Sequence, residues 1–78
     1  VSKRILIIED DQAIAEIERD YLKLSQFEVA LAHDGAEGLS MALTGNFDLI
    51  LLDVMLPTID GFEICKQLRK TLDIPILW

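Results

Sequence analysis

Asp53 closes one strongly apolar run, Leu49 to Leu52, and Glu9, Asp10 and Asp11 close another, Ile5 to Ile8. Carboxylates are poor strand formers and costly to bury without a partner, so a strand that ends in one ordinarily delivers it to a site. If the two runs are neighbouring parallel strands, three or four carboxylates gather at one edge of a sheet. Such a cluster repels itself unless a cation sits in it. Glu9, Asp10 and Asp53 offer oxygen donors only, with no thiolate and no convergent histidine. A hard-oxygen site favours Mg²⁺, Mn²⁺ or Ca²⁺ over Zn²⁺ or Cu²⁺. Mg²⁺ in particular takes one or two protein carboxylates, keeps several waters and leaves room for phosphate oxygens. Beside a cation, an ionised Asp53 is a usable nucleophile that can accept a phosphoryl group as an aspartyl phosphate. Such a transfer needs little beyond in-line positioning and charge neutralisation.

The plainer reading is that these acids are helix caps. It suits Asp11, because an acid just before a helix is favourable at the positive end of the dipole. It suits Asp53 poorly, since Leu56, Pro57 and Thr58 intervene before a helix that Asp60 is already placed to cap.

The elements that must position these acids follow from periodicity. Ile5 to Ile8 is a continuous apolar, mostly branched run, as expected of a strand covered on both faces. Ala13, Ile14, Ile17, Tyr21 and Leu24 recur at three- and four-residue spacing, which predicts an amphipathic helix over 12–24. A weaker strand is expected over 27–32. Asp34 followed by Glu37 is a variant of the capping box and starts a helix through Leu39, Met41, Ala42 and Leu43 that stops near Gly45. Leu49 to Leu52 is the third strand. Asp60 and Glu63 repeat the capping pattern before a helix through Ile64, Cys65 and Leu68, and a fourth strand is expected over 74–78, with Pro75 near its start. Strands alternating with helices imply a doubly wound parallel sheet with right-handed crossovers and helices on both faces. Ligands of such sheets bind beyond the carboxyl ends of the strands at the switch point, which is where both acidic ends fall.

Composition narrows the function classes. Seventy-eight residues make one small domain, and 51% hydrophobic with 27% charged residues is a globular balance rather than a disordered one. Fourteen acids against 7 bases give a net charge of −7, a poor basis for contacting nucleic acid directly. Lys66, Arg69 and Lys70 read as a solvated helix face, and Cys65, the single cysteine, as a small core hydrophobe. Tyr21 and Phe62 read as core packing, His33 as an exposed turn residue rather than a phosphoryl carrier, and Ser25 and Thr44 as helix-end residues. No apolar stretch approaches transmembrane length and the start lacks a signal-peptide layout, so a cytoplasmic protein without membrane contact is expected.

Ile5 through Asp11, Leu49 through Pro57 with its D-x-x-L-P pattern, Asp60-Gly61 and Ile74 through Leu77 together resemble the receiver domain of two-component response regulators. The match runs from Lys3 to the last residue. The combination is specific where any single piece is not, and the runs around Asp53 and Asp60 resemble the OmpR/PhoB-like subclass. The resemblance implies a flavodoxin-like (CheY-like) doubly wound sheet with strand order 2-1-3-4 and Asp53 as the phosphoacceptor. It implies Mg²⁺, with Mn²⁺ as the alternative, held by Glu9, Asp10, Asp53 and the main-chain carbonyl of Met55. Asp10 matches the direct ligand of the acidic pair, and Glu9 more often acts through water. Pro57 and Gly61 match positions that shape the loop after the acceptor strand. The implied partner is a sensor histidine kinase, whose phosphohistidine supplies the group. The implied role is a signalling phosphoacceptor that catalyses its own transfer rather than a conventional enzyme.

A complete member of that family has five strands and five helices, and the OmpR/PhoB-like subclass continues into a winged-helix DNA-binding domain. This chain is therefore expected to be a partial receiver spanning 1–78, truncated after the fourth strand. The later helices, the fifth strand, a hydroxyl and a lysine of the phosphoryl site, and any DNA-binding effector domain fall outside it. The fourth strand would then be an open edge carrying Trp78, from which self-association, domain swapping or marginal stability is expected. Two other functions fit parts of the pattern. An Mg²⁺-dependent aspartyl phosphatase usually has a second aspartate two residues after the nucleophile, where this chain has Met55. A non-phosphorylated interaction module would keep the sheet as an assembly scaffold.

Overall fold

The chain was analysed as a computed structural model that describes residues 3–52 and 61–77. Seven elements alternate along it: β1 (Arg4–Ile8), α1 (Gln12–Leu24), β2 (Glu28–Ala32), α2 (Gly35–Thr44), β3 (Leu49–Leu52), α3 (Gly61–Arg69) and β4 (Ile76–Leu77). The strands form one sheet in the order β2-β1-β3-β4, and every pairing is parallel. This is the expected doubly wound arrangement, with β1 between β2 and β3.

Register follows from burial on alternate faces. Leu6 and Ile8 of β1, Ala32 of β2, Ile50 and Leu52 of β3 and Ile76 of β4 point one way, into a core completed by Ala42, Phe47, Ile64 and Leu68 from α2, α3 and the segment before β3. Ile5 and Ile7 are as fully buried as their neighbours but belong to the opposite face, where α1 packs on β1 and β2. A strand buried on both sides reads as an unbroken apolar run, which is why β1 was plain in the sequence. The amino end of the sheet is tied down by Arg4. Its backbone N–H donates to the Asp48 carboxylate at 2.8 Å, its guanidinium donates to the Asn46 carbonyl at 3.2 Å, and it lies 4.7 Å from the Phe47 ring centroid.

The caps are as expected for two helices. Asp11 accepts from the Ile14 N–H at 3.1 Å, and Asp34 accepts from the Glu37 N–H at 2.8 Å. Glu37 reciprocates to the N–H of His33, one residue outside the usual capping-box position. Asp60, Phe62 as a packing side chain and Trp78 lie outside the described residues. Ser25 and Thr44 stand at helix ends, His33 is exposed, and Lys66, Arg69 and Lys70 are solvated. Cys65 is half-buried against the core.

Three local expectations change: the core role of Tyr21, the length of β4 and the start of β2. Tyr21 is not core: it is 72% exposed, and Ile14, Ile17 and Leu24 of the same stripe are exposed with it. The helix instead seats its other flank, where Ala15 is buried and Leu22 half-buried, because a methyl side chain lets α1 approach the sheet closely. β4 is shorter than its apolar run, and β2 starts at Glu28 rather than Phe27. The Ile74 carbonyl accepts from the Arg69 guanidinium at 2.7 Å, and Pro75 has no N–H for a ladder, so regular pairing begins at Ile76. Gly45 ends α2 with an ordinary extended backbone rather than a left-handed one. A side chain is excluded there by Phe47, whose ring carbon would lie 2.6 Å from an added Cβ.

Candidate functional site

β1 and β3 are direct neighbours, with Ile8 opposite Leu52 at their carboxyl ends. The residues that follow these two partners in sequence are Glu9 and Asp53. Glu9 remains attached to the sheet, since its N–H donates to the Ala32 carbonyl of β2 at 3.0 Å. That bond carries the ladder one residue past β1 and leaves Glu9 only 8% exposed. A carboxylate this buried needs compensation, and part of it comes from the Asp11 N–H, which donates to Glu9 Oε2 at 3.2 Å. Asp10 lies on the bend between Glu9 and Asp11 and is exposed. Asp11 then starts α1. Three consecutive acids thus have three surroundings: one folded into the sheet edge, one open to solvent and one closing a helix.

A depression of about 270 Å³ opens at this end of the sheet, lined by Ile7, Ile8, Leu51, Leu52 and Leu77 together with the carboxylate-bearing Glu9 and Glu18. Glu18 was not singled out from the sequence. A glutamate in an amphipathic helix ordinarily marks the solvated face, and only the seating of α1 on its Ala15 flank turns residue 18 toward the sheet.

The described part of the site therefore contains Glu9 and Asp10 from the sequence-based set. Asp53 and Met55, with Pro57 and Thr58, lie outside the described residues. Among the described residues no group of three or more His, Cys, Asp or Glu side chains is placed to hold a metal ion. Two adjacent carboxylates, one buried and one exposed, still suit Mg²⁺ in donor chemistry, because that ion needs few protein oxygens and retains water.

The fold and these acidic strand ends together define a class of protein, and residues 5–78 match the response regulator receiver domain. The chain belongs to that family. Response regulator MprA from Mycobacterium bovis is 47% identical over 78 residues, an alignment covering 99% of this chain and 34% of the relative. The chain thus spans about a third of the length of that curated relative. Among solved structures, the response regulator TrrA from Thermotoga maritima, in complex with Mg²⁺ and BeF, superposes with a TM-score of 0.91 at 36% identity, over 95% of this chain and 65% of that one. The complex of TrrA with the histidine kinase ThkA gives a TM-score of 0.89 at 36% identity, with the same shares of the two chains. The fold is accordingly that of CheY-like receivers, and the chain is a signalling module of two-component systems, similar to OmpR/PhoB-type regulators. Among the described residues, no helix is long and apolar enough to cross a membrane.

Proposed function

We propose that this chain accepts a phosphoryl group on Asp53 from a phosphohistidine of a sensor histidine kinase, with Mg²⁺ held by Glu9, Asp10, Asp53 and the carbonyl of Met55. The observation that carries the reading is the pairing of Ile8 with Leu52, which makes the strand that leads into Asp53 a direct neighbour of the strand that leads into Glu9 and Asp10. The Mg²⁺ complex of TrrA and the TrrA–ThkA complex support it by kinship. When bound, the cation neutralises charge on the phosphoryl oxygens and on the acidic cluster. The protein supplies the remainder. An Asp53 carboxylate oxygen attacks phosphorus, the new O–P bond forms as the N–P bond of phosphohistidine breaks, and the imidazole nitrogen leaves with the bonding electron pair. Glu9, fixed by its bonds to Ala32 and Asp11, keeps one carboxylate stationary at the strand end, and exposed Asp10 would offer the cation a ligand on the solvent side.

In the same reading the 78 residues are the first part of a receiver domain in a cytoplasmic regulator. Any DNA contact is made by an effector domain elsewhere in the parent protein, in keeping with the net charge of −7 on this part. The outer edge of β4, where Leu77 is 52% exposed, is the proposed route of self-association.

Incubation with acetyl phosphate, with and without Mg²⁺, followed by intact-mass analysis tests the function. An adduct of one phosphoryl group that accumulates only with Mg²⁺ and is removed by hydroxylamine is expected. Hydrolysis of the donor without an adduct would identify an aspartyl phosphatase instead, and neither adduct nor hydrolysis would leave an interaction module.

A further inference from the structure

α2 lies over β1 with almost no side chain between them at one point. Gly38 is buried, and a Cβ built on it would fall 2.6 Å from Ile8 Cδ1 and 2.7 Å from both Ile8 Cγ1 and Ile8 Cγ2. Contacts this short do not occur in real packing, so alanine at position 38 would require a displacement. The clash is not with one flexible tip. Cγ1 and Cγ2 are both bonded to the Ile8 Cβ and turn together about χ1, so each staggered rotamer keeps a carbon in at least one of the two clashing positions. Ile8 itself has 0% exposure, and its backbone is held between Ala32 and Leu52 in the sheet, so a displaced side chain must push on packed neighbours. The residue after it is Glu9.

We propose that Gly38 is a positioning residue for the acidic pair. Its missing side chain admits Ile8 beneath α2, and the seat of Ile8 fixes the course of the chain as it leaves β1 through Glu9 and Asp10. A shift of Ile8 strains the bond from the Glu9 N–H to Ala32, currently 3.0 Å, which holds Glu9 at the sheet edge. Gly38 touches neither cation nor phosphoryl group and acts only through Ile8. The inference rests on the proposed role of Glu9 and Asp10 in holding Mg²⁺.

Titration of the full chain with Mg²⁺ by calorimetry, alongside circular dichroism to confirm folding, tests it in wild type, Gly38→Ala, Ile8→Ala and Ile8→Ala/Gly38→Ala. Gly38→Ala is expected to raise the Mg²⁺ Kd by about tenfold, the lower end for residues that orient metal ligands. Ile8→Ala removes Cγ1, Cγ2 and Cδ1, the three atoms that meet the new Cβ, so the double variant is expected to bind Mg²⁺ more tightly than Gly38→Ala and as well as Ile8→Ala. A folded Gly38→Ala protein with wild-type affinity overturns the inference, as does a folded double variant with no recovery. If Gly38→Ala fails to fold, the double variant and Ile8→Ala still decide: equal affinity in the two supports the inference, and weaker binding in the double variant overturns it. Absence of Mg²⁺ binding by the wild type defeats the functional reading itself, which separates the two failures.

Discussion

Glu9 and Asp10 are adjacent in sequence yet differ in every physical respect that matters to a cation. Glu9 is buried, bonded to β2 through its N–H and to Asp11 through its carboxylate, whereas Asp10 is exposed on a bend. In the proposed site Asp10 is the direct ligand and Glu9 acts through water. Glu9→Gln keeps the acceptor for the Asp11 N–H and removes the charge, so it is expected to weaken Mg²⁺ binding by about 10–100-fold, as for groups that orient a bound metal's ligands. Calorimetric titration measures this, and an unchanged Kd would remove Glu9 from the site. Asp11, one residue further, has a structural part. Asp11→Ala forfeits the cap on Ile14 and is expected to cost about 1 kcal/mol in urea denaturation, with Mg²⁺ affinity retained. A loss of affinity without a loss of stability would place Asp11 among the ligands instead.

The helices show what periodicity transmits and what it does not. The spacing of Ile14, Ile17, Tyr21 and Leu24 located α1 within its observed bounds, but a stripe does not state which neighbour covers it. Here α1 rests on Ala15 and Leu22, and the larger side chains remain outside. The consequence is measurable: Ile17→Ala, at 69% exposure, is expected to change stability by no more than about 0.5 kcal/mol. Ile64→Ala, fully buried in α3, is expected to cost about 2–5 kcal/mol, and equal losses by chemical denaturation would contradict the seating of α1. The end of α1 at Leu24 was legible, but the way the chain closes it was not. The N–H of Phe27 reaches the Leu22 carbonyl at 3.2 Å and that of Gln26 reaches Lys23 at 3.0 Å, a Schellman closure with Gln26 at φ 71°. That position normally announces itself with glycine, and glutamine carries no such signal. Gln26→Gly is expected to raise stability by up to about 1 kcal/mol by relieving the left-handed conformation, seen as a higher denaturation midpoint. A lower midpoint would show that the backbone is not strained there.

Across the whole molecule, the sheet order and the acidic end of β1 were readable because an α/β fold repeats its pattern in strand-length apolar runs and punctuates it with caps. Glu18 and Gly38 were not readable, since each depends on how closely a helix approaches the sheet. The seating of α1 also leaves Ile17, Tyr21 and Leu24 on the surface of an otherwise acidic molecule, and Leu77 is exposed on β4 at the edge of the sheet. Concentration-dependent self-association is the expected behaviour, and light scattering coupled to size-exclusion chromatography measures it; a monomer at all concentrations would count against the β4 edge as a contact. The proposed phosphoacceptor is one atom group, the carboxylate of Asp53, and chemical trapping addresses it directly. After incubation with acetyl phosphate and Mg²⁺, borohydride reduces an aspartyl phosphate to homoserine, which peptide mass spectrometry locates in the chain. The expected result is homoserine at position 53 and at no other acid. Homoserine at position 10 or 60, or 5-hydroxynorvaline at Glu9, with Asp53 unaltered, would contradict this role of Asp53.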